Sequence, residues 1–419
     1  MEPTLEKMDI AELLLEKART NKNRLPAAEP LAEKAIQTIN RYGIPEVKNE
    51  RYKYANVKKV LQELHLNVTD TPVISPSSYA DNLRVLPGKN VLVTVNGTPV
   101  KWEADSSFTL SYIAEYRGKL NPEESDAMQA LALLTADAGF FLRINATPDQ
   151  PLIWLNITES NIPSYFASVH AIEVAEKTEA EIMEIRIGKG AASFTNQFLQ
   201  VFTGEQAGLK IYVTDESLGH HSGVFSLAAD QEKSSVFSHS FLSTGGGFFR
   251  QNITATHGGK NCHTELNGFY AVDGNRQADF LTHVRHMHPE CTSDELYKGI
   301  AAGQGKAIFN GKVFVARDAQ KTNAYQSNKN ILLSEEALIR SKPELEIYAD
   351  DVKCSHGSTT GQTDHKSLFY LRSRGIRENE AQKMLMLAFA GEVLERIGNE
   401  TIRSYFTETA ENKLLEILN

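Results

Sequence analysis

The chain has 419 residues, of which 41% are hydrophobic and 23% charged; these proportions exclude wholesale disorder and leave material for two or three folding units. Lys and Arg total 44 against 53 Asp and Glu, and the formal net charge of -9 argues against a general nucleic-acid partner. Three cysteines, Cys262, Cys291 and Cys354, are too few for a disulfide framework or for a four-cysteine metal site within one copy of the chain. The N-terminus, MEPTLEKMDIAELLLEKA, mixes acids with its apolar residues and lacks the core of a signal peptide. No apolar run approaches the ~20 residues that cross a bilayer. The expected setting is a reducing cytoplasm, with no membrane partner.

Residues 5–42 read as helical, with Leu5, Met8, Leu13 and Leu14 near one face. Pro26 and Pro30 interrupt the pattern, which resumes from Leu31 to Ile39 and stops at Gly43 and Pro45. Pro72, Pro76 and Pro87 mark a connector, so residues 1–88 form an N-terminal helical region. From about residue 90 the period becomes alternating. Val91, Val93 and Val95 fall on one face and lead into the turn dipeptide Asn96-Gly97. Short strands follow around Met183–Ile187, Leu209–Thr214, Val236–Leu242, Phe248–Thr254, Phe269–Val272 and Ala307–Phe309. Phe225, Phe237 and Phe249 recur at equal spacing, hinting at stacked turns of chain. So long a run of strands, spanning 89–360, predicts a mainly β sandwich, barrel, propeller or solenoid. Gln326, Asn328 and Asn330 would share one strand face and could ladder with neighbouring turns. Residues 361–419 return to a helical period. There Met384–Ala390 is continuously apolar, wider than an amphipathic stripe, and a second helix covers about Ile402 to Leu418.

Two constellations carry candidate chemistry. His283, His286, His288 and Cys291 are good zinc or iron ligands, yet strand alternation puts His283 opposite His286 and His288. Cys354 and His356 lie two apart and project to one side of a continuing strand. Side by side they could grip a soft metal, with missing ligands supplied by another chain. The same two residues could form a nucleophilic pair, if Asp350 or Asp351 oriented the imidazole. Neither Gly245-Gly246-Gly247 nor Gly303-Gln304-Gly305-Lys306 fits a phosphate loop, so self-contained ATP hydrolysis is not expected.

A collinear series of residues is more specific than any of these. It runs through Arg250-Gln251-Asn252, Glu265-Leu266-Asn267-Gly268, Asp279 with Thr282 and His283, and Tyr297-Lys298-Gly299. It continues through Phe309-Asn310-Gly311-Lys312, Ala319-Gln320-Lys321-Thr322, Gln326, Asn328, Asn330 and Leu332-Leu333-Ser334. Lys342-Pro343, Leu345 to Gly357, Gly361-Gln362, Asp364, Leu368 to Arg372 and Arg374-Gly375-Ile376 complete it. In this series the chain resembles the SufB/SufD family of iron–sulfur cluster assembly proteins. The SufD branch is favoured, because no cysteine precedes Cys262. A fainter echo lies in Gly43-Ile44-Pro45, Glu50, Tyr52, Lys53 and Tyr54; the family tends to carry tryptophan where Tyr52 stands.

The resemblance implies a right-handed parallel β-helix flanked by helical N- and C-terminal regions. It implies a non-enzymatic scaffold subunit that pairs with SufB and binds the ATPase SufC. The C-terminal helices would dock SufC through Met384, Leu385, Leu387 and Phe389. His356, with Cys354, would face the SufB interface, where iron or a nascent cluster is shared. No cofactor would be intrinsic, and flavin would bind only in the assembled complex. In isolation the chain could form a homodimer through the edge that would meet SufB. Three competing expectations stand beside this one. They are a SufB-like paralogue, a β-solenoid carbohydrate-active enzyme using Glu173, Glu176, Glu179, Glu181 and Glu184, and a free-standing metal protein built on His283, His286, His288 and Cys291.

Overall fold

In a computed structural model the described residues are 9–21, 25–68 and 90–418. Leu5, Met8 and the prolines 72, 76 and 87 of the expected connector lie outside them. The elements begin with α1 (Ile10–Thr20), α2 (Ala32–Tyr42) and α3 (Val57–Glu63). Gly43, at φ 63° and ψ -166°, ends α2 in a positive-φ conformation that glycine adopts without a Cβ clash. Next come β1 (Asn90–Val95), β2 (Thr98–Glu103), β3 (Phe108–Tyr112) and α4 (Ala127–Thr135). The strands then continue as β4 (Phe140–Ile144), β5 (Leu152–Ser160), β6 (Ser164–Val174), β7 (Glu179–Gly190) and β8 (Ser193–Thr203). β9 (Gly208–Asp215), β10 (His221–Gln231), β11 (Val236–Ser243), β12 (Phe248–His257) and β13 (His263–Val272) follow. The last are β14 (Gln277–His286), β15 (Thr292–Ala301), β16 (Lys306–Val315), β17 (Thr322–Leu332), β18 (Leu338–Ile347) and β19 (Val352–Gly361). Three helices end the chain: α5 (His365–Ser373), α6 (Glu378–Leu394) and α7 (Glu400–Leu418).

Alternate strands pair. One sheet has the order β19-β17-β15-β13-β11-β9-β7-β5-β1-β2, the other β18-β16-β14-β12-β10-β8-β6-β4-β3. Apart from β1 with β2 and β3 with β4, neighbours are parallel. Such an order is a solenoid of about eight turns, each turn giving one strand to each sheet. Of the four all-β alternatives the solenoid is the one that forms.

The turns are specified inside and at the corners. Rings of Phe241, Phe249, Phe280, Tyr270, Tyr297 and Phe309 make a continuous interior stack, with successive centroids 4.8–6.0 Å apart. The equal spacing of Phe225, Phe237 and Phe249 is therefore not the repeat itself. Phe225 and Phe249 stack at 5.5 Å across successive turns, but Phe237 sits on β11 in the other sheet. At one corner Lys177, Gln206, Ser234, Asn261, Glu290 and Lys321 all hold positive φ, between 57° and 65°. Each donates its backbone N–H to a carbonyl of the next turn, from Lys177 to Glu205 (3.0 Å) through Lys321 to Asp351 (2.6 Å). The residue after each is buried and small: Thr178, Ala207, Ser235, Cys262, Cys291 and Thr322.

Helices cover both outer faces. α1–α4 lie on the sheet containing β6, β8, β10 and β12, where Tyr165, Val169, Phe194, Phe198 and Val224 join their core. A buried knot fixes this layer. Arg250 pairs with Asp279 (2.6 Å), donates to the Arg51 carbonyl (2.7 Å) and lies 4.0 Å over the Tyr52 ring. The Tyr52 hydroxyl donates to Asp126 Oδ1 (2.7 Å), and that carboxylate caps α4 by accepting from the Met128 and Gln129 N–H groups. α6 and α7 cover the opposite sheet, burying Met386, Ala390, Val393, Ile402 and Phe406 against Val93, Leu155, Met183 and Tyr212. Among the described residues no helix is long and apolar enough to cross a membrane.

Candidate functional site at the open end of the solenoid

The two ends of the solenoid are finished differently. At the first, the β1–β2 hairpin and antiparallel β3 close the sheets. At the last, β18 and β19 each have a strand neighbour on one side among the described residues. Ser355 to Gly361 are all exposed, because the face that would point into the interior has no following turn to cover it. An edge of this kind offers backbone donors and acceptors to another chain.

β19 stacks on β17 in register, Cys354 over Ala324 and His356 over Gln326. The spacing of two thus puts both side chains on the inward face, as strand alternation requires. Cys354 is half-buried, packed with Val313, Val315, Ala319 and Ala324, and burial pushes its thiol up from the ordinary range. His356 is exposed. Asp350 and Asp351 make no contact with this imidazole, so the geometry of an oriented nucleophilic pair is missing from this arrangement; the Asp351 N–H is instead held by Gln320 (2.9 Å).

Behind His356 a polar column enters the protein. The register runs His356, Gln326, Glu295 and Leu266 through β19, β17, β15 and β13. Gln326 and Glu295 are both buried. Glu295 accepts from the Thr282 hydroxyl (2.6 Å). Burial pushes its carboxyl up to about 7, opposed by Thr282 and the adjacent Gln326. Beside this column Asn328 and Asn330 share a face but form no amide ladder between turns: Asn330 donates to Asn328 along the same strand (2.7 Å), and the Tyr270 hydroxyl joins both. Glu295 had no signal in the linear sequence. Its column neighbours Leu266 and Gln326 are 29 and 31 residues away and are brought together by register, while Thr282 reaches it from β14 of the facing sheet.

The other histidine-rich stretch is dispersed. His286 faces inward in a directional wire. Thr264 donates to Gln231 (2.5 Å), so it accepts from His257 Nε2–H (2.8 Å). His257 Nδ1 then accepts from His286 Nδ1–H (3.1 Å), and His286 Nε2 accepts from Ser293 (2.9 Å). Both nitrogens of His286 are occupied. His283 faces outward, 3.6 Å from Glu123, into a cleft of about 890 Å³ beside Arg51, Lys53 and Lys312. His288 is exposed in a turn, and Cys291 is buried at the corner with its Sγ 3.3 Å from the Gly259 carbonyl. Among the described residues no group of three or more His, Cys, Asp or Glu converges on a metal position. The carboxylates from 173 to 184 separate too. Glu184 is buried in an ion pair with Arg186 (2.8 Å), while Glu181 meets Tyr212 and Asn399 on the outer face.

On α6 the expected docking residues divide. Met384 is exposed, whereas Leu387 and Phe389 pack in part against the sheet. The Phe389 carbonyl accepts from Lys298 (2.8 Å), whose ammonium lies 4.6 Å over the ring. Met384 stays open, as do Phe369 and Tyr370 on the neighbouring α5.

The family model for the SufBD core domain of SUF-system FeS cluster assembly matches residues 156–389. The iron–sulfur cluster assembly protein SufD of Escherichia coli is 32% identical over 389 residues, covering 89% of this chain and 90% of the relative. SufD of Bacillus subtilis is 26% identical over 302 residues, covering 71% and 68%. The chloroplastic protein ABCI7 of Arabidopsis thaliana is 36% identical over 236 residues, covering 55% and 49%. Taken with the solenoid and its helical flanks, these matches place the chain in the SufB/SufD family of iron–sulfur cluster assembly proteins, in its SufD branch.

Proposed function

We propose that this chain is a non-catalytic scaffold subunit of the cytoplasm that pairs with SufB through the β18–β19 end and binds SufC through its C-terminal helices. The observation that carries the reading is the open last turn: an exposed β19 edge bearing His356 and Cys354 over a polar interior. Two ligands are too few to hold iron or a cluster alone, so the cargo would be shared with a cysteine of SufB across the joined edges. Met384, Leu385, Leu387 and Phe389 of α6, with exposed Phe369 and Tyr370, would form the apolar side of the SufC contact. ATP-driven closure of SufC would then reach the edge through α6, which is tied to β15 by Lys298. Flavin would bind only in the complete assembly, and the isolated chain could pair with itself through the free edge.

Co-expression with cognate SufB and SufC under reducing conditions tests this reading. A stable three-component complex is expected, and SufC is lost when Met384→Asp is introduced. Failure of the wild-type chain to co-purify with either partner removes the proposal's support.

A further inference from the structure

Cys262 and Cys291 take no part in the open end. They occupy the same corner on consecutive turns, each directly after a left-handed residue, Asn261 (φ 58°) and Glu290 (φ 65°). Elsewhere in that column the side chain is a hydroxyl or a methyl. Ser235 donates to the Glu232 carbonyl (2.6 Å), and Thr322 to the Ala319 carbonyl (2.9 Å). Cys262 makes the corresponding contact with the carbonyl three residues back, whereas Cys291 turns to that same carbonyl of the neighbouring turn, so the two sulfurs converge. Cys262 Sγ lies 3.2 Å from the Gly259 carbonyl oxygen, and Cys291 Sγ lies 3.3 Å from the same atom. The Thr292 N–H donates to the Cys262 carbonyl (2.9 Å), which fixes the two residues as neighbours in register. Adjacent strands lie ~4.8 Å apart, inside the ~4.4–6.8 Å Cα separation that a disulfide spans. Serine or threonine would fill this corner as well as cysteine does. What two cysteines add is paired sulfur chemistry.

We propose that Cys262 and Cys291 are a peroxide-oxidisable dithiol that closes to a disulfide across two turns of the solenoid. The Cys262 thiolate attacks one oxygen of hydrogen peroxide; the O–O bond breaks, hydroxide leaves and takes a proton, and a sulfenic acid remains. The Cys291 sulfur then attacks that sulfur, the S–S bond forms, and the sulfenic oxygen departs as water with the thiol proton. The two sulfurs together lose two electrons, and one peroxide becomes two waters. Cys262 is the attacking thiol because the residues just before it, Gly258, Lys260 and Asn261, are exposed and leave it the more accessible approach. Contact with the Cys291 thiol, opposed by burial, also lowers its pKa from the ordinary thiol range. The same contact, together with burial, pushes Cys291 up.

The full-length reduced protein, treated with hydrogen peroxide, blocked with iodoacetamide and digested without reductant, provides the test by mass spectrometry. A peptide joining Cys262 to Cys291 is expected, absent before peroxide and removed by dithiothreitol, with Cys354 outside the cross-link. Recovery of both residues as alkylated thiols, or of Cys262 as a sulfinic acid without the cross-link, overturns the proposal. In Cys291→Ser, whose hydroxyl can still meet the Gly259 carbonyl, dimedone is expected to trap a sulfenic acid on Cys262. An unmodified Cys262 in that variant refutes its assignment as the attacking thiol.

Discussion

Glu295→Gln is expected to raise stability at pH 8 and to change it little at pH 5. Glu295 is buried among Thr282, Gln326 and Leu266, with its carboxyl pushed up to about 7 from the ordinary 4.5. Between those values the folded chain binds more protons than the unfolded one, so the group's contribution is fully present below the lower value. It is lost as pH rises through about 7. At 1.36 kcal/mol per unit, the ionisable group costs about 3 kcal/mol at pH 8 and under about 1 kcal/mol at pH 5. Glutamine removes the ionisation and keeps an oxygen to accept from the Thr282 hydroxyl. Urea unfolding of wild type and variant, followed by circular dichroism at pH 5, 6.5 and 8, measures the difference. The variant's midpoint should rise relative to wild type as pH increases. Equal shifts at all three values, or a loss at pH 8, would show that the carboxyl is solvated and refute the buried column.

Acid acts in the opposite sense on the buried histidines. Burial holds His239 down to about 3 and leaves both of its ring nitrogens without a hydrogen-bond partner. Unfolding therefore takes up a proton below about 6.5, and the penalty at pH 5 is about 2 kcal/mol. His239→Leu, lying between Ile211 and Leu266 in its column, should raise the unfolding free energy by about 2 kcal/mol more at pH 5 than at pH 8, read by urea unfolding. Arg250→Ala strands Asp279 in the interior and should cost about 3–5 kcal/mol. Limited proteolysis should then cut within residues 25–68 earlier than elsewhere, since the Arg51 and Tyr52 contacts are lost together. Gly299→Ala would put a methyl 1.9 Å from the Tyr270 ring and 2.7 Å from Asn330. It should lower stability by about 1–3 kcal/mol or more in a thermal melt, through overpacking.

The sequence exposed the class of the fold more readily than its closure. Alternation marked the strands because one side of each faces the interior, and Asn96-Gly97 marked its hairpin by needing positive φ at 51° and 85°. Solenoid geometry was hidden because its corners use Lys, Gln, Ser, Asn and Glu in the left-handed region rather than glycine. The collinear residues supplied what periodicity could not. Several of them have structural work: Arg250, Asn252 and Asp279 meet in the buried knot, and Lys298 holds α6. Tyr52, where the family tends to tryptophan, uses its hydroxyl on Asp126, a position an indole N–H could also serve as donor. At the open end, the two-residue spacing of Cys354 and His356 was legible. Glu295 and the Cys262–Cys291 pair were not, because contacts about 30 residues apart follow from register alone.

The central claim is that the β19 edge holds part of the site for the iron–sulfur cargo. Anaerobic cluster reconstitution on the assembled SufB–SufC–SufD-type complex carrying His356→Ala tests it most directly. The exposed imidazole can be removed without disturbing the core. The account predicts an intact complex with a greatly reduced cluster yield by visible absorbance and iron content. A wild-type yield from that complex would contradict it.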